Sequence, residues 1–183
     1  MARTVTAASS GLVITHAPVL IDRDLPDGSS LVGHLARANP HAQRLRSETV
    51  IAFEGPHGYV SPSWYGRTPA APTYNYVAVH VRGNVEILSD PERALAVITA
   101  TTAQFEQGRE RTWSLGPSLD YARQLLADLV AFRLRVTEIE GAFKLSQEQD
   151  QATRERVIAG LEAEPELARG DLAMYMRRFA SEP

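Results

Sequence analysis

Cysteine is absent from this 183-residue chain. Its absence excludes thiolate zinc sites, iron–sulfur clusters, a cysteine nucleophile and a disulfide framework. The soft nitrogen donors left for a metal are the imidazoles of His16, His34, His41, His57 and His80. An excess of cations is missing too. With 19 Lys+Arg against 22 Asp+Glu, the net charge of −3 counts against broad nucleic-acid binding but leaves room for a small basic site. No apolar run reaches the ~20 residues needed to span a bilayer. The opening MARTVTAASSG lacks the apolar core of a signal peptide, which places the protein in the cytoplasm. Neither H-x-x-x-H nor H-E-x-x-H occurs, and G-x-G-x-x-G, the P-loop and G-x-S-x-G are also absent. What remains is the composition of an ordinary globular protein, long enough for one domain at ~100–200 residues each. A chain of this size buries roughly 70% of its unfolded surface and needs no covalent or metal staple.

The first half reads as β-structure. Leu12–Asp22 (LVITHAPVLID) follows the turn signal Ser9-Ser10-Gly11, and Asp27-Gly28 marks a turn before Ser30–Leu35, so the two segments read as a hairpin. Glu48–Phe53 is a third strand. Tyr74–Leu88 is the longest, with Tyr74, Tyr76, Ala78, His80 and Arg82 on one face and Asn75, Val77, Val79 and Val81 on the other; Gly83 permits a bulge or bend. The Pro/Gly-rich stretch Gly55–Pro72 reads as a long loop, of the kind that is functional or disordered. The second half turns helical. Asp90-Pro91-Glu92 combines an N-cap, a first-turn Pro and a first-turn acid. Ser118–Phe132 carries an apolar stripe of helical period. Phe132–Thr137 alternates as a strand, and the chain from Gln147 on is helical to near its end. The sum is an α+β domain around a small antiparallel barrel.

Four constellations could carry chemistry. Gly33–Pro40 (GHLARANP) sets His34 at a strand end and Arg37 in a turn before a short helix, where it could anchor a phosphate or carboxylate; the plainer alternative is a surface ion pair and a packed imidazole. Gly55–Tyr65 (GPHGYVSPSWY) offers His57, Ser61, Ser63, Trp64 and Tyr65 to a ligand, or merely covers a barrel mouth. Ala71–Tyr76 offers Thr73, Asn75 and two Tyr, but alternation puts Asn75 opposite the tyrosines, so one subunit cannot gather them all. Phe143–Gln147 (FKLSQ) offers Lys144 as an anion partner or acid/base, against a capping box from Ser146 to Gln149.

In order along the chain, Thr15-His16-Ala17-Pro18 with Asp22, Gly33–Pro40, Gly55–Tyr65, Pro72–Tyr76, Val79–Gly83 and Glu140–Gln147 (EGAFKLSQ) resemble the PaiB-like family of FMN-binding split-barrel proteins. The likeness covers roughly residues 4 to 161. It implies an α+β fold: a six-stranded antiparallel split β-barrel with peripheral helices, homodimeric, with cofactor sites at the subunit interface. On this reading residues 1–183 form one domain, with barrel strands at about 4–88 and 131–144, helices at about 90–130 and a helical extension at about 147–183. Family members usually begin with a further N-terminal helix and strand start, whereas this chain opens inside the first strand.

The family has two branches. One is described as FMN-binding negative transcriptional regulators. The other, the piperazate synthases, is similar in fold, binds haem b and closes N5-hydroxy-ornithine into a ring through an N–N bond. The short Gly66–Ala71 segment, the Gln147-Glu148-Gln149 continuation and Ser118–Val136 resemble the synthases; Ser63-Trp64-Tyr65 resembles the regulators. The balance of these segments leans to the haem branch, which implies a dehydrating cyclase acting on an N-hydroxylated amino acid, with the FMN branch as the alternative. His34 or His57 would be the iron ligand, Arg37 the propionate partner, and Lys144 or Tyr65 the proton carrier. The FMN branch implies a regulator or flavin-dependent oxidoreductase. Arg37, Ser61 and Thr73 would hold the phosphate, and Trp64 and Tyr76 would flank the ring. Asn75 and Gln147 complete the cofactor-contacting set on either reading. No helix-turn-helix signal supports direct DNA reading.

Overall fold

The structure is a computed structural model describing residues 2–8, 11–25, 28–45 and 48–180. Eight strands form one mixed-length sheet: β1 (Ala2–Ala8), β2 (Gly11–Ala17), β3 (Val19–Ile21), β4 (Ser30–Ala36), β5 (Glu48–Val60), β6 (Thr73–Ile87), β7 (Leu129–Lys144) and β8 (Ala168–Arg169). Four α-helices accompany them: α1 (Pro91–Glu106), α2 (Leu119–Leu125), α3 (Gln151–Ala163) and α4 (Leu172–Ala180). The strand order is β2-β1-β5-β6-β7-β4-β3, with β8 added on β5. The class is α+β and every registered pairing is antiparallel. Two compact units divide the chain, residues 1–53 with 80–139 and residues 54–79 with 140–183, so that β5, β6 and β7 each supply a part to both. No described helix is long and apolar enough to cross a membrane.

Among the described residues the six expected strands become eight, in an open path rather than a closed barrel order. Pro18 has no N–H for a ladder and splits the expected Leu12–Asp22 strand into β2 and β3. Only β3 makes the expected hairpin with β4, Val19 facing Gly33. β2 pairs instead with β1, Ala2 facing Ala17. Of the turn residues expected at these joins, Ser9, Ser10 and Asp27 lie outside the described residues; Gly11 and Gly28 both take positive φ. The long loop expected from Gly55 begins only after Val60.

In the first unit α1 starts as the sequence indicates, Asp90 accepting from the Glu92 N–H with Pro91 in the first turn. Val97 packs with Val32, Leu88 and Ala131. The helix expected over Ser118–Phe132 stops at Leu125, because Leu129, Val130 and Ala131 pair with Ala36, Leu35 and His34 of β4. Tertiary pairing overrides an apolar stripe whose Leu119 and Leu125 remain exposed. At Gly83 an added Cβ would stand 2.2 Å from the Arg135 carbonyl oxygen, so the expected special position is a close approach of two strands.

In the second unit α3 and α4 bury Val157, Ile158, Leu161, Leu172 and Met176 with Val60, Val77, Tyr65 and Leu145. The single helical extension expected from Gln147 is broken by residues 164–171, which include β8. The N-cap of α3 is Asp150, accepting from Thr153 N at 2.8 Å; Ser146 is not a cap.

Candidate functional site

The second unit holds most of the residues singled out by sequence, and its backbone explains how they are presented. Pro56 and Gly58 shape the end of β5. An added Cβ on Gly58 would meet Ala168 Cα and Leu167 O at 2.9 Å, so glycine is what allows β8 to pair there. Beyond β5, Pro62–Tyr65 form one 3₁₀ turn. Ser61 caps it, with the Ser61 and Ser63 hydroxyls 2.7 Å apart, and Gly66 ends it in the left-handed region. Arg156 of α3 donates to the Trp64 and Tyr65 carbonyls at 3.2 and 2.7 Å, satisfying the acceptors that a turn's end leaves open. Trp64 lies against Gly160, where an added Cβ would approach the indole to 2.3 Å. Tyr65 is buried in the unit's core beneath the Arg67 guanidinium. Burial, helped by Glu148, pushes its hydroxyl above the usual tyrosine range and keeps it protonated at neutral pH.

Asn75 and Gln147 are engaged internally. Asn75 and Ser146 are both fully buried. The Asn75 amide donates to Ser146 Oγ at 2.9 Å and to Met176 Sδ at 3.5 Å, and the hydroxyl returns to Asn75 Oδ1 at 3.3 Å. Gln147 accepts from Leu145 N at 2.6 Å and donates to the Phe143 carbonyl. Between them they hold Ser146 at φ +58°, a conformation that a non-glycine residue takes only when its surroundings impose it.

What stays accessible is a cation, hydroxyls and flat rings. Lys144, the chain's only lysine, donates from Nζ to Thr73 Oγ1 at 2.6 Å and makes no ion pair among the described residues. Tyr74, next to Thr73, stacks on His57 with ring centroids 6.0 Å apart and planes at 30°. Tyr59, Tyr74 and Tyr76 are each about two-fifths exposed or more (39, 47 and 39%), which is unusual for large aromatics in the middle of a sheet. The His57 Nδ1 lies 3.1 Å from the Gly55 carbonyl; a carbonyl only accepts, so Nδ1 carries the proton and Nε2 presents its lone pair.

His34 and Arg37 belong to the first unit. His34 is on β4, its Nδ1 buried without a partner, and burial lowers its pKa. Arg37 donates to the Ala127 and Leu129 carbonyls at 2.5 and 2.7 Å, which staples the turn that follows α2. The expected helix after Arg37 is three residues of 3₁₀, Ala42–Arg44. Sequence reasoning passed over two features of this unit. His41, fully buried, bonds Thr6 Oγ1 at 2.8 Å, and Thr6 bonds Thr49 at 2.7 Å. Asp22, also buried, accepts from Arg133 Nε at 2.5 Å and Ser30 Oγ at 3.1 Å. Asp22 stood among the motif residues, but its partner lies 111 positions away, beyond any local pattern. Among the described residues no cluster of three or more His, Asp or Glu could hold a metal ion.

Comparison with known proteins now places the chain. A family profile described as "Putative FMN-binding domain" matches residues 1–138. The chain is 32% identical over 165 residues to the protease synthase and sporulation protein PAI 2 of Bacillus subtilis, covering 87% of this chain and 77% of that one. It is 27% identical over 187 residues to an uncharacterized protein of Emericella nidulans, covering 81 and 74%. Among solved structures, its fold is similar to that of an FAD and heme binding protein from Mycobacterium smegmatis (TM-score 0.60, 17% identity, 87 and 71% covered). It is also similar to that of the flavocytochrome Anf3 from Azotobacter vinelandii (TM-score 0.57, 13% identity, 84 and 66% covered). With a profile spanning most of its length and a bacterial relative above 30% identity, the chain belongs to the FMN-binding domain family.

Proposed function

We propose that the protein binds FMN and acts as a flavin-dependent oxidoreductase, with two copies of the chain completing each site. The observation that carries this reading is the accessible Lys144–Thr73 pair on one face of β6, with the stacked His57 and Tyr74 on the other, an arrangement that one site can use only across two copies. An ammonium and a hydroxyl within hydrogen-bond distance of each other are a phosphate-binding donor set. Exposed aromatic rings suit a flat tricyclic ligand. The donor set therefore fits FMN. Phosphate falls to Lys144 and Thr73, since the Arg37 guanidinium is already bonded to two backbone carbonyls. Tyr74 and Tyr76, on the other face of β6 from Thr73, would present the stacking surface to a flavin whose phosphate the second copy holds. Trp64 is held against Gly160 and shapes the neighbouring turn.

Bound FMN supplies hydride or single-electron chemistry. The chain's own part is to fix the phosphate and keep a proton on the buried Tyr65 hydroxyl. It also orients His57 through Gly55, so that Nε2 can accept a hydrogen bond. Exposed tyrosines on a sheet face call for a cover, and a second copy provides one that also brings Asn75-side and Tyr-side groups of two chains to one interface. Reconstitution tests this directly: FMN should bind the purified protein, and Lys144→Met should weaken it about tenfold or more, the worth of a charge-assisted hydrogen bond. Failure of FMN to bind would refute the reading.

A second reading, haem b with dehydrative ring closure of N5-hydroxy-ornithine to piperazate, is favoured by one observation. His57 already has the outer partner that metal-bound imidazoles use, its Nδ1–H on the Gly55 carbonyl, whereas the His34 Nδ1 has none. The two fold neighbours above are proteins named for haem or flavocytochrome. On this reading His57 is the ligand, and His57→Ala abolishes a Soret band that His34→Ala leaves in place.

A further inference from the structure

We infer a second ligand site in the first unit: a groove of about 810 Å³ between α1 and the β3 segment, shaped for an apolar monocarboxylate. The volume lies in the range of small-molecule sites. Its floor is hydrocarbon, formed by Val19, Leu20, Val32, Leu88 and Val97, and the small Ala96 and Ala100 of α1 leave the space open. The two ends of the site's chemistry differ.

At the polar end stand Arg23 and Arg133. Arg133 is only 11% exposed, and Asp22 takes its Nε at 2.5 Å; its sole other charged neighbour is the outward Asp24, 3.7 Å from one terminal nitrogen. The terminal nitrogens thus make no hydrogen bond among the described residues, and a guanidinium held by one edge presents its remaining donors as a fork matched to a carboxylate. Arg23, at the same end, has no hydrogen bond or ion pair among the described residues. Glu92 on the rim already pairs with Arg123, and Arg93 with Glu86. Arg133 thus faces two carboxylates, Asp22 and Asp24, and Arg23 is the cation at this end without a partner among the described residues. Arg23 and the open guanidinium donors can take one carboxylate, whereas a phosphate dianion would meet both aspartates. The body of the ligand rests on this hydrocarbon floor, which favours an apolar chain, with Gln104 of α1 a further polar group in the lining. The groove gives the remaining Arg133 donors a carboxylate to meet.

The test is calorimetric titration of the full chain with decanoate, decan-1-ol and decylamine below micellar concentration. Decanoate should bind at least about tenfold more tightly than the alcohol or the amine, and Arg23→Gln should remove roughly that preference. Ala96→Phe, at an exposed helix position that tolerates a large side chain, should abolish binding by filling the groove, with an unchanged thermal melt as control. Equal binding of the three probes would overturn the proposal, as would decanoate binding untouched by Ala96→Phe. It is overturned too if decanoate does not bind while Ala96→Phe turns a dimer into a monomer, since the groove's occupant is then a second copy.

Discussion

The Asn75 carboxamide and the Ser146 hydroxyl meet across 71 residues and hold Ser146 at positive φ with no solvent to help them. Replacing Asn75 by Ala strands that hydroxyl and removes the support for the strained residue. A loss of about 1–3 kcal/mol in unfolding free energy is expected, measured by urea denaturation. The FKLSQ segment was visible in the sequence as a unit with chemistry in it, but not which of its members face outward. Lys144 reaches Thr73 at the surface, while Gln147 turns back on its own loop, and a single-sequence pattern carries no such distinction. Two histidines behave as pH sensors of folding. Burial lowers the pKa of both His34 and His41, with Arg44 adding to the effect at His41. The unfolded chain therefore takes up protons first as pH falls. Their stability contribution is complete above the ordinary histidine value of about 6.5 and is lost as pH drops below it toward the folded values. His41→Gln keeps a partner for Thr6 and removes the titration. Its stability should fall less than that of the parent between pH 7.5 and 5 in paired denaturation curves; parallel curves would contradict the assignment.

At the scale of elements, the signals that survived were local ones. Asp90-Pro91-Glu92 opens α1, and alternation in Tyr74–Val77 separates buried Asn75 and Val77 from exposed Tyr74 and Tyr76, because capping and pleat depend on neighbours in sequence. The failures were contests settled by distant partners. Leu129–Ala131 left a helical stripe to pair with β4, and residues 55–60 left an expected loop to extend β5. Helix α3 gives an element-level prediction with an unusual sign. Alanine is ordinarily favoured over glycine inside a helix by about 1 kcal/mol. Here Gly160→Ala would set a methyl 2.3 Å from the Trp64 indole, so the variant should be less stable than the parent, with Trp64 displaced from the helix. Tryptophan emission should shift to the red, read against the exposed Trp113 as internal reference. A more stable variant would mean that the indole does not rest there.

For the whole molecule, the sequence conveyed the class and the family but not the strand count. Order-of-segments resemblance survives short edge strands such as β3 and β8, while counting them requires the pairing itself. The candidate site is divided in the same way. Sequence names Lys144, Thr73, His57 and Tyr76 as candidates for the proposed site, but the engagement of Arg37, Asn75 and Gln147 by partners within the chain shows only in the fold. Two copies per assembly are expected by light scattering at FMN-binding concentrations, twice the 20.1 kDa chain mass. Tyr76→Asp, which charges the exposed aromatic face, should shift the protein toward the single-chain mass. The central claim is that the phosphate of FMN rests on Lys144 and Thr73. Riboflavin differs from FMN only in lacking that phosphate, so the ratio of their dissociation constants isolates it. The parent protein should prefer FMN by about tenfold or more, and Lys144→Met should bring the two ligands close to parity. A preference for FMN that persists undiminished in Lys144→Met, or no flavin binding at all, would contradict the account.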